Sequence, residues 1–211
     1  MTVRALIPFK PVNPKSRLSG VMSQEEREAF ARAMLDDVVA AVQGAGCTPV
    51  ILSTAPFRCP GVETRVDGRG LNESLNGILP TYPGATLIIM SDLPLVVPEI
   101  ITRMLTTSAN ISVVPGRGGG TNAIYLKNPA RFRADYYAGS FLKHLKIAGE
   151  FGATVEVIDS FRLHTDVDEE ADLAEVLIHG RGKSRAYLAS LGFALDAECG
   201  RVKAERVRKT T

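Results

Sequence analysis

Tryptophan is absent from the chain, and the other aromatic residues are few, at 6% of the sequence. A surface of stacked aromatic side chains, which single-stranded nucleic acids require, is therefore not expected. The formal net charge of +2 is also too small to attract a polyanion over a long distance. Basic residues are instead concentrated in two short segments, 10–17 and 201–209. We therefore expect no nucleic-acid partner.

Cysteine and long apolar runs are scarce as well. Cys47, Cys59 and Cys199 lie far apart, which predicts neither a zinc site nor a disulfide framework and favours a reducing compartment. No apolar run is long enough to span a bilayer. The run at 5–9 is too short for the core of a signal peptide and contains Pro8. We expect a soluble, cytoplasmic protein without a membrane partner.

The remaining composition is that of an ordinary globular domain. Hydrophobic residues make up 45% of the chain and charged residues 23%, which provides enough apolar surface for a core. A length of 211 residues suits one domain better than two. No repeat, low-complexity segment or linker divides the sequence. We therefore expect a single domain over residues 1–211, with residues 183–211 as a C-terminal extension.

Short apolar segments alternate with segments of helical spacing. The apolar segments predict strands at 3–8, 49–54, 62–66, 85–90, 111–115, 123–127 and 154–158. Helices are predicted after a capping box formed by Ser23 and Glu26, and at 71–79, 98–105, 140–150 and 169–177. The tail at 193–207 alternates weakly around Cys199 and Gly200 and predicts a hairpin.

This alternation predicts an α/β fold with a mainly parallel sheet. The segment at 85–90 is apolar throughout, as expected in the middle of a sheet that is covered on both faces. Ligands of such sheets bind where the strands end. The candidate binding segments are therefore the loop after the first strand, Asp92, and the glycine-rich loop after Pro115.

Three cations, Lys10, Lys15 and Arg17, lie in the loop after the first strand, with Pro11 and Pro14 between them. Such cations are suited to hold the oxygens of a triphosphate and to offset the charge of a leaving pyrophosphate. The loop lacks the spacing of a Walker phosphate-binding loop. The alternative is an exposed loop with solvated basic residues, but its position after the first strand favours binding.

Asp92 follows the predicted central strand, which would hold its carboxylate rigidly at the ligand edge. Mg²⁺ favours one or two carboxylates together with phosphate oxygens, so we predict that Asp92 binds this metal. Asp166 and Asp168, two residues apart, are predicted to face one side of a strand end and to complete the site. The alternatives are a turn-capping role for Asp92 and an N-cap role for Asp168.

The segment at 115–122 reads PGRGGGTN and contains four glycines. The backbone amides of such a run can approach an anion closely, so we predict a loop that binds an acceptor substrate. Glycines alone are also typical of a flexible hairpin tip. A serine and a histidine four residues apart on the helix at 140–150 can reach the same ligand, although a single helical histidine is more often structural. The predicted acceptor contacts are Gly119, Gly120, Thr121, Asn122, Ser140 and His144.

In their order along the chain, these segments resemble the 2-phospho-L-lactate guanylyltransferase family of coenzyme F-420 biosynthesis. The resemblance is carried by IPFKP at 7–11, PKSRLS at 14–19, LN at 71–72, DLPL at 92–95, GGTN at 119–122, SF at 140–141 with His144, and DVD at 166–168. The ordered set is highly specific. Members of the family often have Tyr-Gly-x-x-Ser-Phe, whereas Tyr136 is followed here by Tyr137.

The resemblance implies a nucleotide-diphospho-sugar transferase-like fold of the glycosyltransferase-A type, a three-layer sandwich around a mixed, mainly parallel sheet. It implies GTP and Mg²⁺ as reactant and cofactor, and 2-phospho-L-lactate as acceptor, or phosphoenolpyruvate or 3-phosphoglycerate in other branches. By motif, Lys10, Lys15 and Arg17 engage the triphosphate, Asp92 binds metal, and Thr121 and Ser140 hold the phospho-acid. Asn72, near Arg69, is the candidate guanine contact. We expect a homodimer, with the segment after residue 183 as a candidate for its packing.

The expected reaction is an in-line attack by an acceptor phosphate oxygen on the α-phosphorus of GTP. The nucleophile is already anionic near neutral pH, so catalysis would consist of positioning and charge neutralisation. Two alternatives stay open. One is guanylyl or cytidylyl transfer to a molybdopterin or an acidic sugar; the other is a non-catalytic module that binds phospho-metabolites or RNA. The acidic strand end argues against the module, because it repels phosphate unless a metal intervenes.

Overall fold

The structure is a computed structural model that describes residues 2–197 and 202–206. Seven of the strands in these residues form one mixed sheet in the order β3-β2-β1-β4-β6-β5-β7. They are β1 Arg4–Phe9, β2 Thr48–Ser53, β3 Glu63–Val66, β4 Thr86–Ile89, β5 Ile111–Pro115, β6 Thr121–Leu126 and β7 Val155–Val157. Strand β6 is antiparallel to both of its neighbours, and the other pairs are parallel.

Helices cover both faces of the sheet. They are α1 Gln24–Gly44, α2 Leu71–Ile78, α3 Pro98–Leu105, α4 Ser140–Glu150, α5 Phe161–His164, α6 Asp172–His179 and α7 Lys183–Ser190. One hydrophobic cluster contains residues of α1, α3, α6 and α7, and the other contains residues of α2 and α4. Leu87 and Ile89 of β4 belong to the first cluster, and Ile88 belongs to the second. The predicted central, doubly covered strand is therefore confirmed.

Helix α1 forms as its sequence predicts. The Ser23 hydroxyl accepts the N–H of Glu26, and the Glu26 carboxylate accepts the N–H of Ser23, which closes the capping box. Phe30 and Met34, one turn apart, are fully buried against the sheet. The helix ends at Gly44. Residues adjacent in sequence therefore determine where α1 begins and ends.

The glycine-rich loop after β5 is shorter than predicted. Thr121 and Asn122 lie in β6, so the strand begins two residues before the predicted start at 123. Thr121 pairs with Pro115 across a register shift in β5, and the Asn122 carbonyl accepts a hydrogen bond from the N–H of Met90. These contacts with two neighbouring strands extend β6 and leave only residues 116–120 as loop.

The acidic segment before α6 contradicts the prediction of a strand end followed by a helix at 169. Residues 165–168 are irregular, and the helix begins at Asp172, so Asp168 is not its N-cap. The Asp172 carboxylate accepts the N–H groups of Asp168 and Glu169, each at 2.8 Å. This side chain closes a turn that delays the helix and places the acidic segment beside β4.

The region after residue 182 packs against the rest of the chain. The Asp37 carboxylate of α1 accepts the N–H groups of Lys183 and Ser184 at 2.6 and 3.0 Å and so caps α7. Strands β8 Phe193–Asp196 and β9 Lys203–Arg206 form the predicted antiparallel hairpin, and Phe193 is buried in the core. The predicted hairpin tip at Cys199 and Gly200 lies outside the described residues.

Two further sequence expectations concern cysteines and membranes. Cys47 and Cys59 are free thiols, and Cys199 again lies outside the described residues. Among the helices of the described residues, none is long and apolar enough to cross a membrane.

Candidate functional site

A cleft of about 470 Å³ opens at the carboxyl ends of β1, β2 and β4. One end is strongly charged and the other contains more apolar and backbone surface. The charged end is lined by Lys10, Lys15, Arg17, Asp92 and Asp168. The other end is lined by Leu52, Asp67, Arg69, Gly70, Leu71 and Ser74. All three cations predicted in the first loop therefore border one cavity.

Lys15 lies at the centre of the charged end. Its ammonium is 2.6 Å from Oδ2 of Asp92 and 2.8 Å from Oδ1 of Asp168. Its backbone adopts the left-handed conformation, with φ of 49°, which lets the loop turn the side chain inward. Burial alone would lower the pKa of Lys15, but the two carboxylates outweigh it and raise this pKa. Lys15 is therefore charged and joins residues that are distant in sequence.

The other two cations are more exposed. Lys10 is exposed at the edge of the cleft. The side chain of Arg17 is 65% exposed, with its guanidinium 3.4 Å from Glu169 and 3.9 Å from Asp168. Exposed ion pairs of this length contribute little to stability. Both side chains therefore retain the freedom to turn toward an anionic ligand.

The two carboxylate oxygens of Asp92 differ in their hydrogen bonding. Oδ2 accepts the Lys15 ammonium, whereas the buried Oδ1 has no hydrogen-bond partner in the described part of the chain. The Asp92 carbonyl accepts the N–H of Val167 at 3.1 Å, which ties β4 to the acidic segment. A buried carboxylate oxygen without a donor is costly, and a cation would satisfy it.

Asp166 and Asp168 experience opposite electrostatic environments. Burial, and then the negative charge of Asp92, raise the pKa of Asp166. Burial also acts to raise the pKa of Asp168, but the Lys15 ammonium outweighs burial and lowers it. Asp166 is therefore the carboxylate whose negative charge is least compensated.

These carboxylates fit a divalent cation chemically, because Mg²⁺ prefers carboxylate oxygens. Within residues 2–197 and 202–206, however, no three acidic, histidine or cysteine side chains are gathered closely enough to hold an ion. The carboxylates of Asp92 and Asp168 are held apart by Lys15, because its ammonium lies between them. A metal at Asp92 would therefore compete with the Lys15 ammonium for the carboxylate oxygens of Asp92 and Asp168.

The glycine loop is held by an ion pair. Gly118 and Gly119 have φ of 72° and 84°, which explains glycine at these positions. Arg117 between β5 and β6 donates to the Asp172 carboxylate at 2.6 Å and lies 3.8 Å from Asp166. The Gly120 carbonyl accepts the N–H of Gly116 and closes the turn. The loop therefore faces the acidic segment.

The side chain of Asn122, a predicted acceptor contact, forms hydrogen bonds within the chain. Its amide donates to the carbonyl of Leu163 at 2.8 Å and approaches Oδ1 of Asp166 at 3.4 Å. A Cβ on Gly116 would come within 2.2 Å of the Asn122 side chain, so glycine is required there. We therefore interpret Asn122 as the residue that positions the acidic segment.

Thr121, Ser140 and His144 form a buried chain of hydrogen bonds beneath the cleft. Nε2 of His144 accepts the N–H of Asp135 at 3.0 Å, so in the neutral imidazole Nδ1 carries the proton. Nδ1 then donates to the Thr121 hydroxyl at 2.9 Å. Ser140 also donates to that hydroxyl, at 3.2 Å. The Thr121 hydroxyl hydrogen is thereby directed toward a third partner.

His144 is held in the neutral form. Burial lowers its pKa to about 4, and the opposing charges of Asp135 and Lys143 contribute less. The rings of Phe132 and Tyr136 pack against the imidazole, at 5.4 and 4.8 Å between centroids. The tautomer that orients Thr121 is therefore the form present at neutral pH.

His144 gives a testable dependence of stability on pH. The unfolded imidazole binds a proton near its ordinary pKa of 6.5, whereas the folded one does so only near 4. Stability is therefore fully present above pH 6.5 and falls as pH drops toward 4, by about 1.4 kcal/mol per pH unit. We expect urea unfolding to show a shallower decline for His144→Gln in this window. The control is His179→Gln at a half-buried site outside the Thr121 hydrogen-bond chain, and an equal decline in both variants would contradict the assignment.

The side chain of Asn72, the predicted guanine contact, is bonded to the backbone of Tyr136. Its side chain accepts the N–H of Tyr136 at 2.6 Å and donates to the Tyr136 carbonyl at 3.3 Å. Asn76, one turn later on α2, makes the same pair of bonds to Ala134, at 2.7 and 2.9 Å. The two side chains fix residues 134–136 against α2. The guanine contact of Asn72 stays a prediction, and the bonds to Tyr136 show that this side chain also has a structural role.

Sequence reasoning missed the residues at the less charged end of the cleft. Asp67 follows β3 directly, and its carboxylate is 2.6 Å from the Arg69 guanidinium. The hydrogen bonds from Arg69 lower the pKa of Asp67 strongly. The rule that ligands bind at strand ends would have identified Asp67, had it been applied to the third strand.

Comparisons of sequence agree with this geometry. Residues 3–210 match the family model described as guanylyl transferase CofC like. The 2-phospho-L-lactate guanylyltransferase of Methanoregula boonei is 56% identical over 206 residues, covering 98% of this chain and 96% of that protein. The protein of the same name from Methanoculleus marisnigri is 56% identical over 209 residues, covering 98% and 97%.

Solved structures share the architecture at low sequence identity. A Desulfovibrio desulfuricans G20 protein assigned to the nucleotide-diphospho-sugar transferases has a TM-score of 0.73 at 16% identity, covering 90% of this chain and 95% of its own. A Mycobacterium tuberculosis H37Rv protein solved in complex with manganese has a TM-score of 0.53 at 16% identity, covering 84% and 98%. These likenesses confirm the predicted fold, which organises the cleft described above.

Proposed function

Because this chain belongs to the CofC-like family of guanylyl transferases, we propose that it joins the guanylyl group of GTP to the phosphate of 2-phospho-L-lactate. The product is lactyl-2-diphospho-5'-guanosine. The observation that carries this proposal is one cleft at the strand ends, in which Lys10, Lys15 and Arg17 meet Asp92 and Asp168. Such a cleft suits a triphosphate with a divalent cation. The relatives bear the names of transferases, which favours catalysis over a phospho-metabolite or RNA-binding module.

The reaction requires little covalent participation by the protein. An oxygen of the acceptor phosphate attacks the α-phosphorus of GTP in line and forms a new P–O bond. The bond from the α-phosphorus to the β-phosphate bridging oxygen breaks, and pyrophosphate leaves with that electron pair. The acceptor oxygen is already ionised, so no side chain has to remove a proton. Lys10, Lys15 and Arg17 would hold the triphosphate and offset the charge that develops on pyrophosphate.

The acceptor would bind beside the glycine loop. Two donors already point at the Thr121 hydroxyl, so its own hydrogen is available to an anionic oxygen. Thr121 and Ser140 are buried, and Thr121 directly follows the glycine loop, so we propose that a small phospho-acid reaches the Thr121 hydroxyl from the side of this loop. His144 keeps the hydroxyl in this orientation without touching the acceptor. Gly119 and Gly120 complete the proposed acceptor contacts, with the N–H of Gly119 also donating to the Gly116 carbonyl at 3.3 Å.

We further propose Mg²⁺ as the cofactor, with Asp92, Asp166 and Asp168 as the residues that would hold it. This assignment is supported by Oδ1 of Asp92, which has no partner among the described residues, and by the pKa of Asp166, which burial and then the charge of Asp92 raise. When bound, the ion would neutralise charge between the two phosphates. We also retain a cytoplasmic homodimer as part of the proposal, and light scattering on the purified protein tests the dimer.

The direct test is incubation with GTP, Mg²⁺ and 2-phospho-L-lactate, followed by mass analysis. We expect pyrophosphate release and the mass of lactyl-2-diphospho-5'-guanosine. Parallel incubations with phosphoenolpyruvate, 3-phosphoglycerate and a molybdopterin, and with CTP in place of GTP, compare the alternative substrates. Faster turnover of another pair would reassign the substrate, and GTP binding without pyrophosphate release would favour the non-catalytic alternative.

A further inference from the structure

Tyr137 combines three features that the fold alone does not require. Its backbone adopts the left-handed conformation, with φ of 77°, which is unfavourable for a residue with a Cβ atom. Its side chain is 67% exposed, so burial in a core does not offset that strain. It also lines the cleft described above. A strained, exposed aromatic residue at a binding cavity indicates a functional role.

The chain on both sides of Tyr137 is firmly held. The backbone of Tyr136 is bonded on both polar atoms to Asn72, and Ser140 begins α4 with its hydroxyl bonded to Thr121. The intervening residues Ala138 and Gly139 are left-handed as well, with φ of 45° and 75°. Three successive left-handed residues therefore carry the chain between two fixed ends and present the Tyr137 ring at the cleft.

The location of the ring favours the nucleotide over the acceptor. Tyr137 borders the same cavity as Gly70, Leu71 and Ser74, which form its less charged end. The proposed acceptor contacts Thr121 and Ser140 are buried and do not line that cavity. The clamp on Tyr136 is made by the α2 residue next to Leu71, so α2 sets the position of the aromatic ring.

We propose that Tyr137 contacts the nucleoside of the bound nucleotide and stacks on its planar purine base. This assignment deepens the proposed function and rests on it. Aromatic rings and bases attract each other through their faces, and the contact needs no hydrogen bond from the hydroxyl. The strain of residues 137–138 is then the cost of holding the ring in place before the nucleotide arrives.

The test compares Tyr137→Gly with Ala138→Gly. Both substitutions place glycine at a left-handed position and relax the same kind of strain, but only the first removes the ring. We expect Tyr137→Gly to weaken GTP binding by about tenfold, since loss of one stacked ring typically has an effect of this order. The GTP affinities of Ala138→Gly and Tyr137→Phe should stay within about twofold of that of the parent chain. Neither glycine variant should lower Tm.

Calorimetry with GTP gives the affinity, and turnover with 2-phospho-L-lactate gives KM for each substrate. An unchanged GTP affinity in Tyr137→Gly, an equal loss in Ala138→Gly, or a rise confined to the acceptor KM would each overturn the assignment. Calorimetry on the parent chain separates the two proposals. If the parent binds GTP without transferring it, the proposed function fails while the contact with Tyr137 is still measured.

Discussion

Asp92→Asn is expected to lower kcat/KM by about 1,000-fold, the upper range for loss of one preorganised electrostatic group in an active site. Asparagine keeps the shape of the side chain and removes its charge. The neutral amide cannot balance the Lys15 ammonium or attract a cation. Pyrophosphate release measured at saturating GTP and acceptor separates this loss from weaker binding.

The same substitution should affect stability far less. Lys15 keeps its second partner, Asp168, and the repulsion between Asp92 and Asp166 is relieved. We expect a decrease in the free energy of unfolding of about 2 kcal/mol, which is less than the cost of removing the only partner of a buried charge, because Lys15 keeps Asp168. Asp159→Asn, at a side chain that is 96% exposed, is the matched control. Near-normal pyrophosphate release by Asp92→Asn would contradict the proposed role, and complete unfolding would show a structural one.

Direct measurement of metal binding shows whether Asp92→Asn loses activity because a metal ligand is missing or because Lys15 has lost a partner. Manganese titrated against the protein and followed by electron paramagnetic resonance reports binding without turnover. Asp92→Asn should bind this ion more weakly than the parent chain, since it loses a carboxylate that divalent cations prefer. Equal binding by both proteins would leave Asp92 as the partner of Lys15 and remove it from the metal site.

The elements that the sequence predicts well are those with local causes. Helix α1 has a capping box and an apolar face, and β4 is buried throughout and mostly apolar because helices cover both sides of the sheet. The start of α6 could not be placed in this way. The Asp172 carboxylate accepts the N–H groups of Asp168 and Glu169, and the helix predicted to begin at Glu169 therefore begins at Asp172.

The functional site also has features that local sequence predicts and features that only the fold reveals. The strand-end rule correctly brings Lys10, Lys15 and Asp92 to one cavity. It does not reveal that the Lys15 ammonium bridges Asp92 and Asp168, since these partners are 77 and 153 residues away. Composition also does not show which polar side chains form hydrogen bonds within the protein. Asn72 was a candidate ligand contact on sequence grounds, and only the fold shows its bonds to the Tyr136 backbone.

Lys15→Met should change the response of the protein to Mg²⁺ as well as its activity. The substitution removes the cation between Asp92 and Asp168 and leaves these carboxylates to repel each other. We expect kcat/KM to fall by about 100-fold or more, as for loss of a charge aimed at the transferring phosphates. In the absence of metal, Tm should fall, because acidic side chains beside the cleft lose their common partner.

Added Mg²⁺ should then raise Tm more in Lys15→Met than in the parent chain. In the parent, the ion must compete with an ammonium that already occupies the oxygens of Asp92 and Asp168, so its apparent affinity is lower. Arg17→Met is the matched control, since its exposed guanidinium makes only long contacts with the same acidic segment. An identical shift in the parent and in Lys15→Met would mean that metal and ammonium do not share these oxygens. The cation would then be bound without Oδ2 of Asp92 and Oδ1 of Asp168, and the ammonium of Lys15 would act on the phosphates alone.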